Sequence, residues 1–350
     1  MAAGQPPQPS APAASPRGRG GIRLLGFVAA LALLVIAVVA SIIIGSRDIP
    51  LATVLDTLRL GPGSSPDAVV IFDLRIPRTI IGIAAGLALG LSGALIQAVT
   101  RNPLADPGIL GVTSGSAFAV AIAVGVLGLT TVQGYLWFAF GGALVATVVV
   151  YLIGSAGRGG GSPVRLTLTG VALGAVLSGI TSAIVLSDPE GFQAMRIWES
   201  GSLQDRGWEG IPAVLPFLLV GAIICFIIAR SLNAIALGDD LAASLGANVM
   251  LTRVLAVAAV TLLAGGATAL AGPIAFVGLM VPHIARWIVG PDQRWILAYS
   301  LVLAPVLLLA ADIVGRIVLR PGELPAGIIT SVLGAPVLIF LVRRQKASAL

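Results

Sequence analysis

RIPRTIIGIAAGLALGLSGALIQAVTRNPLADPGILG, from Arg75 to Gly111, decides how this chain is built. Two arginines open it, about twenty apolar and glycine-rich residues lead to Gln97, and the proline-broken Arg101-Asn-Pro-Leu-Ala-Asp-Pro closes it. A run of that length crosses the hydrocarbon core of a bilayer as a helix. Gly82, Gly86, Gly90 and Gly93 place a small residue at nearly every turn, which lets a neighbouring helix approach closely.

The rest of the chain agrees with a membrane reading. Of its 350 residues 57% are hydrophobic and 10% charged, with a mean hydropathy of +1.03; a soluble domain carries roughly a quarter charged residues. Continuous apolar runs point to helices, whereas a β-barrel would show short alternating segments. The formal charge of +6 is scattered at span ends, which argues against a nucleic-acid partner. Lys346 is the only lysine, and the next residue is Ala347 rather than Ser or Thr. A Walker A loop is therefore excluded, and any ATP-driven motor is another polypeptide. The single cysteine, Cys225, lies inside an apolar run as a small packed hydrophobe. His283 is the only histidine, so no histidine-rich metal cluster exists.

Hydropathy predicts ten spans, at about 23–45, 76–99, 111–128, 134–154, 165–187, 211–229, 251–269, 273–289, 295–315 and 326–342. Residues 1–22, rich in Pro, Ala, Gly and Ser at the start, are expected to be a disordered cytoplasmic tail. The run Leu24 to Ile44 follows three arginines as a signal peptide would, but it is too long for a signal core and suits a full span. With the N-terminus inside, the cytoplasmic segments hold thirteen basic and four acidic residues, and the outer segments eight and eleven. The positive-inside rule then places both termini in the cytoplasm.

Segment 230–250 is the longest inner connection. Leu237-Gly238 precedes Leu241, Ala242 and Leu245 at helical spacing, Asp239 and Asp240 stand where a helix dipole favours acids, and Gly246 sits at the helix end. A short amphipathic helix is expected here, its apolar side in need of a partner. Resting on lipid headgroups would favour Lys or Arg on the polar face, and this segment shows Asp, Ser and Asn instead.

RIPR, GLALGLSGALIQ and RNPLADPGILGVTSG together resemble the second-helix signature of the FecCD-type permeases, the membrane subunits of ABC importers for ferric siderophores, haem and cobalamin. The resemblance continues through most of the chain after residue 70. It implies an all-α permease domain over 23–344 in the cytoplasmic membrane, with no catalytic residue, cofactor or metal site of its own. It also implies a second permease copy or paralogue, cytoplasmic ABC ATPase subunits and an extracytoplasmic substrate-binding protein, besides membrane lipid. Leu-Gly-x-x-x-Ala-x-x-Leu-Gly, within 236–247, looks like the family's coupling helix, which assigns ATPase contact to Leu237, Gly238, Leu241, Ala242, Leu245 and Gly246.

Arg75, Arg78 and Arg316 fall at outer helix ends and match arginines that, in the family, meet glutamates of the binding protein. Exposed rim arginines suit that role; snorkelling to lipid phosphate is the alternative. Thr167, Gly170, Gly174, Ser178 and Thr181 line one face of span 5, and by the resemblance that span borders the pathway. Such a stripe also packs helices together. Asp312, the one deep acid, lies four residues before Arg316 and is expected to pair with it. Trp198 and Trp208 are expected at the membrane interface. Ferric siderophore is the expected cargo, cobalamin or haem the alternative. An ion-coupled secondary transporter would be a different class, with ionisable sites near the midplane.

Overall fold

The computed structural model describes residues 17–156, 163–187, 189–204 and 206–347. Regular structure among them is helical throughout. In order, the α-helices are α1 (Arg17–Ile43), α2 (Leu51–Leu60), α3 (Pro66–Val69), α4 (Ile76–Thr100), α5 (Val112–Ala121), α6 (Val132–Ser155), α7 (Pro163–Ser187), α8 (Pro189–Glu199), α9 (Gly210–Ile235), α10 (Asp239–Ser244), α11 (Val249–Ala271), α12 (Val277–Val289), α13 (Gln293–Val318) and α14 (Ala326–Ala347). π-helical turns at Val70–Arg75 and Ile122–Val126 extend α3 into α4 and continue α5.

Among the described residues, seven helices are long and apolar enough to cross a membrane, and three shorter apolar helices, Val112–Val126, Val277–Val289 and Ala326–Phe340, occupy the remaining predicted segments. α4 is the centre of the bundle, packed against α13, α11, α12 and α9. Its glycines explain why. A Cβ on Gly86 would stand 2.6 Å from Cα of Pro305 in α13, and one on Gly93 would overlap the Gly278 carbonyl of α12. Backbone meets backbone at two levels of one helix face, since residues seven apart lie nearly one above the other.

Several expectations need correction. Helix α1 begins at Arg17, so residues 17–22 of the expected tail are helical; residues 1–16 lie outside the described set. The second span is continuous from Pro66, because the Ser65 hydroxyl accepts from Ala68 N at 3.2 Å and starts the helix ten residues before Ile76. The two long outer segments hold α2 and α8. Trp198 is 2% exposed and belongs to the main hydrophobic core. Trp208, by contrast, is exposed, its indole N–H donating to Phe72 O at 3.1 Å.

Candidate functional site

Two charged clusters lie at opposite ends of α4, roughly 40 Å apart at 1.5 Å per residue. At the Thr100 end sits α10. Gly238 precedes it with φ +114°. After it, Gly246 N–H donates to Ala243 O at 2.9 Å and Ala247 N–H to Ala242 O at 3.0 Å. This is the Schellman closure, which needs the left-handed φ of +83° that Gly246 adopts. Leu237, just before Gly238, and Leu241 and Leu245, between the two glycines, are 61%, 49% and 63% exposed. Ala242 is buried, so it anchors α10 inward and does not belong to the outward apolar face the sequence suggested. The helix itself is shorter than 236–247, because the glycines stop it at both ends.

Asp239 opens α10 and pairs with two arginines. Its Oδ2 accepts from Arg253 of α11 at 2.7 Å, and its Oδ1 is in close contact with Arg101. Arg101 Nε also donates to Ile235 O, the last residue of α9, at 2.9 Å. These links were not anticipated. The acids were read as dipole partners of their own helix, and the partners lie 138 and 14 residues away in the chain.

At the other end, the three arginines are not an exposed rim. Arg75 and Arg316 are 4% and 1% exposed. α1 ends at Ile43, which leaves its last carbonyls without intrahelical donors. Arg316 NH1 donates to Ser41 O at 2.7 Å and to Ile44 O at 2.9 Å, and Arg75 NH1 to Ile42 O at 2.9 Å and Ile43 O at 2.6 Å. The arginines cap a helix C-terminus, where cations are favoured. Asp312, fully buried, supplies the counter-charge: Arg316 NH2 donates to its Oδ2 at 2.5 Å, as the i, i+4 spacing predicted, and Arg78 NH2 donates to its Oδ1 at 2.7 Å.

Arg78 also donates to Glu323 Oε2 at 2.6 Å. Burial alone would raise the Glu323 carboxyl, but a hydrogen bond with Ser46 and the Arg78 guanidinium outweigh it and hold the pKa below the usual value. Three guanidiniums against two carboxylates leave the cluster positive. A cavity of about 180 Å³, lined by Ser46, Arg47, Arg75, Arg78, Arg316 and Glu323 among others, opens beside it.

The span 5 stripe faces the chain's own helices. A Cβ on Gly170 would strike Ile109 O, one on Gly174 would sit 3.1 Å from Ser114 Oγ, and Thr181 is buried. Thr167 is half-buried and only Ser178 is exposed. Gly170 and Thr181 of α7 pack within the chain, while Gly174 is half-buried beside Ser114. A cavity of about 450 Å³ lies between the 106–113 segment, the end of α8, the 273–275 segment and α14, with Asp106, Thr113, Glu199 and Ser331 in its wall. Burial raises the pKa of both acids, against a hydrogen bond from Gly108 N in the case of Asp106. Nothing in the sequence brings these residues together, since four separate segments meet there.

Comparison with known proteins covers nearly the whole bundle. The model of the FecCD transport family matches residues 33–344. The chain is 48% identical over 315 residues to the ferric enterobactin transport system permease protein FepD of Escherichia coli (strain K12), covering 90% of this chain and 94% of that protein. Against the iron(3+)-hydroxamate import system permease protein FhuB of Bacillus subtilis (strain 168) it is 40% identical over 319 residues, covering 91% and 83%. Among solved structures, a chain from an inward-facing metal-chelate type ABC transporter superposes with a TM-score of 0.78 at 28% identity, covering 94% of this chain and all of that one.

Proposed function

The chain belongs to the FecCD transport family and is a membrane-embedded ABC permease subunit, and we propose that it carries ferric siderophores into the cytoplasm. Relatives named for ferric enterobactin and iron(3+)-hydroxamate support this cargo class. Chemistry on the nucleotide belongs to a separate subunit, since a P-loop lysine is missing here. The observation that carries the reading is the row of exposed leucines around α10. Leu237, Leu241 and Leu245 recur every four residues, Leu241 within α10 and the other two at its flanks, and their side chains are exposed. A soluble end of a membrane protein exposes such a row at a cost unless a partner covers it. The partner we assign is the cytoplasmic ATPase, which puts the α10 end and both termini in the cytoplasm, in agreement with the charge bias.

At the outer end, an extracytoplasmic binding protein would meet the rim of the 180 Å³ cavity, with Arg78 the most accessible of the three arginines there. Arg75 and Arg316 frame that cavity rather than reach the partner. The pathway, shared with a second permease copy or paralogue, would run along the cavity bordered by Asp106, Glu199 and Ser331. Asp312 speaks against ion coupling, because both its oxygens are occupied by guanidinium donors.

Replacing Leu245 by Asp tests the reading. The substitution would bury an unpaired charge at the ATPase interface, at a cost of several kcal/mol. The variant should insert normally, lose the co-purifying ATPase and lose ATP-driven uptake of ferric siderophore into proteoliposomes. Wild-type uptake by this variant would overturn the assignment of α10.

A further inference from the structure

Six residues are too few for a helix to hold itself in water, so whatever anchors α10 determines what moves with it. Ala242 seats it in the wall of the bundle. Asp239 ties its first residue to Arg253 in the first turns of α11 and to Arg101 at the end of α4. Arg101 has a second grip, on the last carbonyl of α9, Ile235 O, at 2.9 Å. One carboxylate and two guanidiniums thus join the ends of four helices. The Asp239 and Arg101 side chains are about two-fifths exposed, and pairs that open to water contribute little to stability. Their geometry carries more information than their energy.

Arg101 also sits in a left-handed turn. Its φ is +51°, one of two positive values outside glycine among the described residues. L-residues adopt this conformation at a cost that surrounding contacts must sustain. That turn reverses the chain and directs 102–110 back into the bundle. Asn102 N–H donates to Gln97 O at 3.2 Å, Leu104 N–H to Asn102 Oδ1 at 3.0 Å, and Gly108 N–H to Asp106 Oδ1 at 2.8 Å. The segment ends in the wall of the 450 Å³ cavity, through Asp106. A displacement of α10 therefore pulls, through Asp239, on the residue that aims this segment.

We propose that Asp239 and Arg101 form the link by which movement of α10 reaches the 102–110 segment and the cavity it borders, Asp239 acting as a positioning residue for transport. The inference rests on the importer reading above and adds its transmission route.

The test uses the complete transporter, with ATPase and binding protein, in proteoliposomes, and measures labelled ferric siderophore moved per ATP hydrolysed. Asp239→Asn should keep the ATPase bound, because the leucines are untouched, while transport per ATP falls about tenfold or more. Asp239→Glu should recover most of it. Arg101→Gln should reproduce the loss, and the double variant Arg101→Gln/Asp239→Asn should be no worse than either single change, as expected when two residues act as one unit. A spin label on a cysteine replacing Leu104 should respond to nucleotide in the wild type and stop responding in Asp239→Asn, a readout that a merely structural role would leave alone. Transport per ATP at the wild-type level in Asp239→Asn overturns the proposal, as do multiplying losses in the double variant. Loss of the ATPase from Asp239→Asn overturns it too, by making Asp239 part of the docking surface. If the wild type shows no ATP-driven uptake, it is the importer reading that falls.

Discussion

Asp312→Asn is the sharpest single perturbation of this fold. The carboxylate is fully buried and accepts from Nε and NH2 of both Arg78 and Arg316, at distances from 2.5 to 3.1 Å. Asparagine keeps the shape but removes the charge and aims an amide N–H₂ at guanidinium donors. Arg78 retains Glu323, whereas Arg316, 1% exposed, is left with carbonyls and the Ser41 hydroxyl alone. Breaking a buried pair by removing one partner costs about 3–5 kcal/mol; the surviving Arg78–Glu323 pair places this case toward the lower figure. An unfolding constant larger by about two powers of ten follows, at 1.4 kcal/mol per tenfold. Reversible unfolding in mixed micelles with increasing dodecyl sulfate would measure it. Arg316→Gln in the Asp312→Asn background should add far less than Arg316→Gln alone, because the uncompensated charge is gone. An Asp312→Asn variant within about 0.5 kcal/mol of wild type, the range of ordinary surface changes, would refute the view that this carboxylate anchors the arginine cluster at the Ile76 end of α4.

Three further changes probe the packing of α7 and the pairing of Glu323. Gly170→Val should drive α7 off Ile109 O and lower stability by about 1–3 kcal/mol, while Ser178→Val on the exposed face leaves melting in detergent unchanged; a stable Gly170→Val protein with altered uptake would place that residue on the pathway. The Glu323 pKa is lower folded than unfolded, so its contribution is complete above the unfolded value and fades as pH falls through the folded one. The stability gap between wild type and Glu323→Gln should accordingly close on acidification, and a gap that widens would contradict the Arg78 pairing.

Much of this fold could be read from residues. Each apolar run became a helix, and the glycine spacing of α4 translated into backbone contact with α12 and α13. Asp312–Arg316 followed from i, i+4 spacing. What escaped had backbone or distant partners. Arg75 shows its position in the sequence, but the carbonyls of Ile42 and Ile43 that claim it carry no residue identity. Arg78 reaches Asp312 across 234 residues. In α10 the spacing of Leu241, Ala242 and Leu245 marked an apolar face, yet the direction in which Ala242 points depends on where α9 and α11 stand. α2 and α8 were passed over because average hydropathy does not flag short amphipathic helices, although Leu51, Val54, Leu55 and Leu58 repeat with a helical period.

The contact of Gly93 with Gly278 has a mechanical meaning. Where side chains separate two helices, rotamer changes let one slide while the other stays; the joint has play. Here the atoms that touch are main chain, and Gln97, one turn on, donates to the carbonyls of Gly278 and Leu279 at 3.3 and 3.1 Å. That joint has no slack to take up. α4 and α12 behave as a single welded strut, and any rocking of this subunit has to be shared among its looser seams.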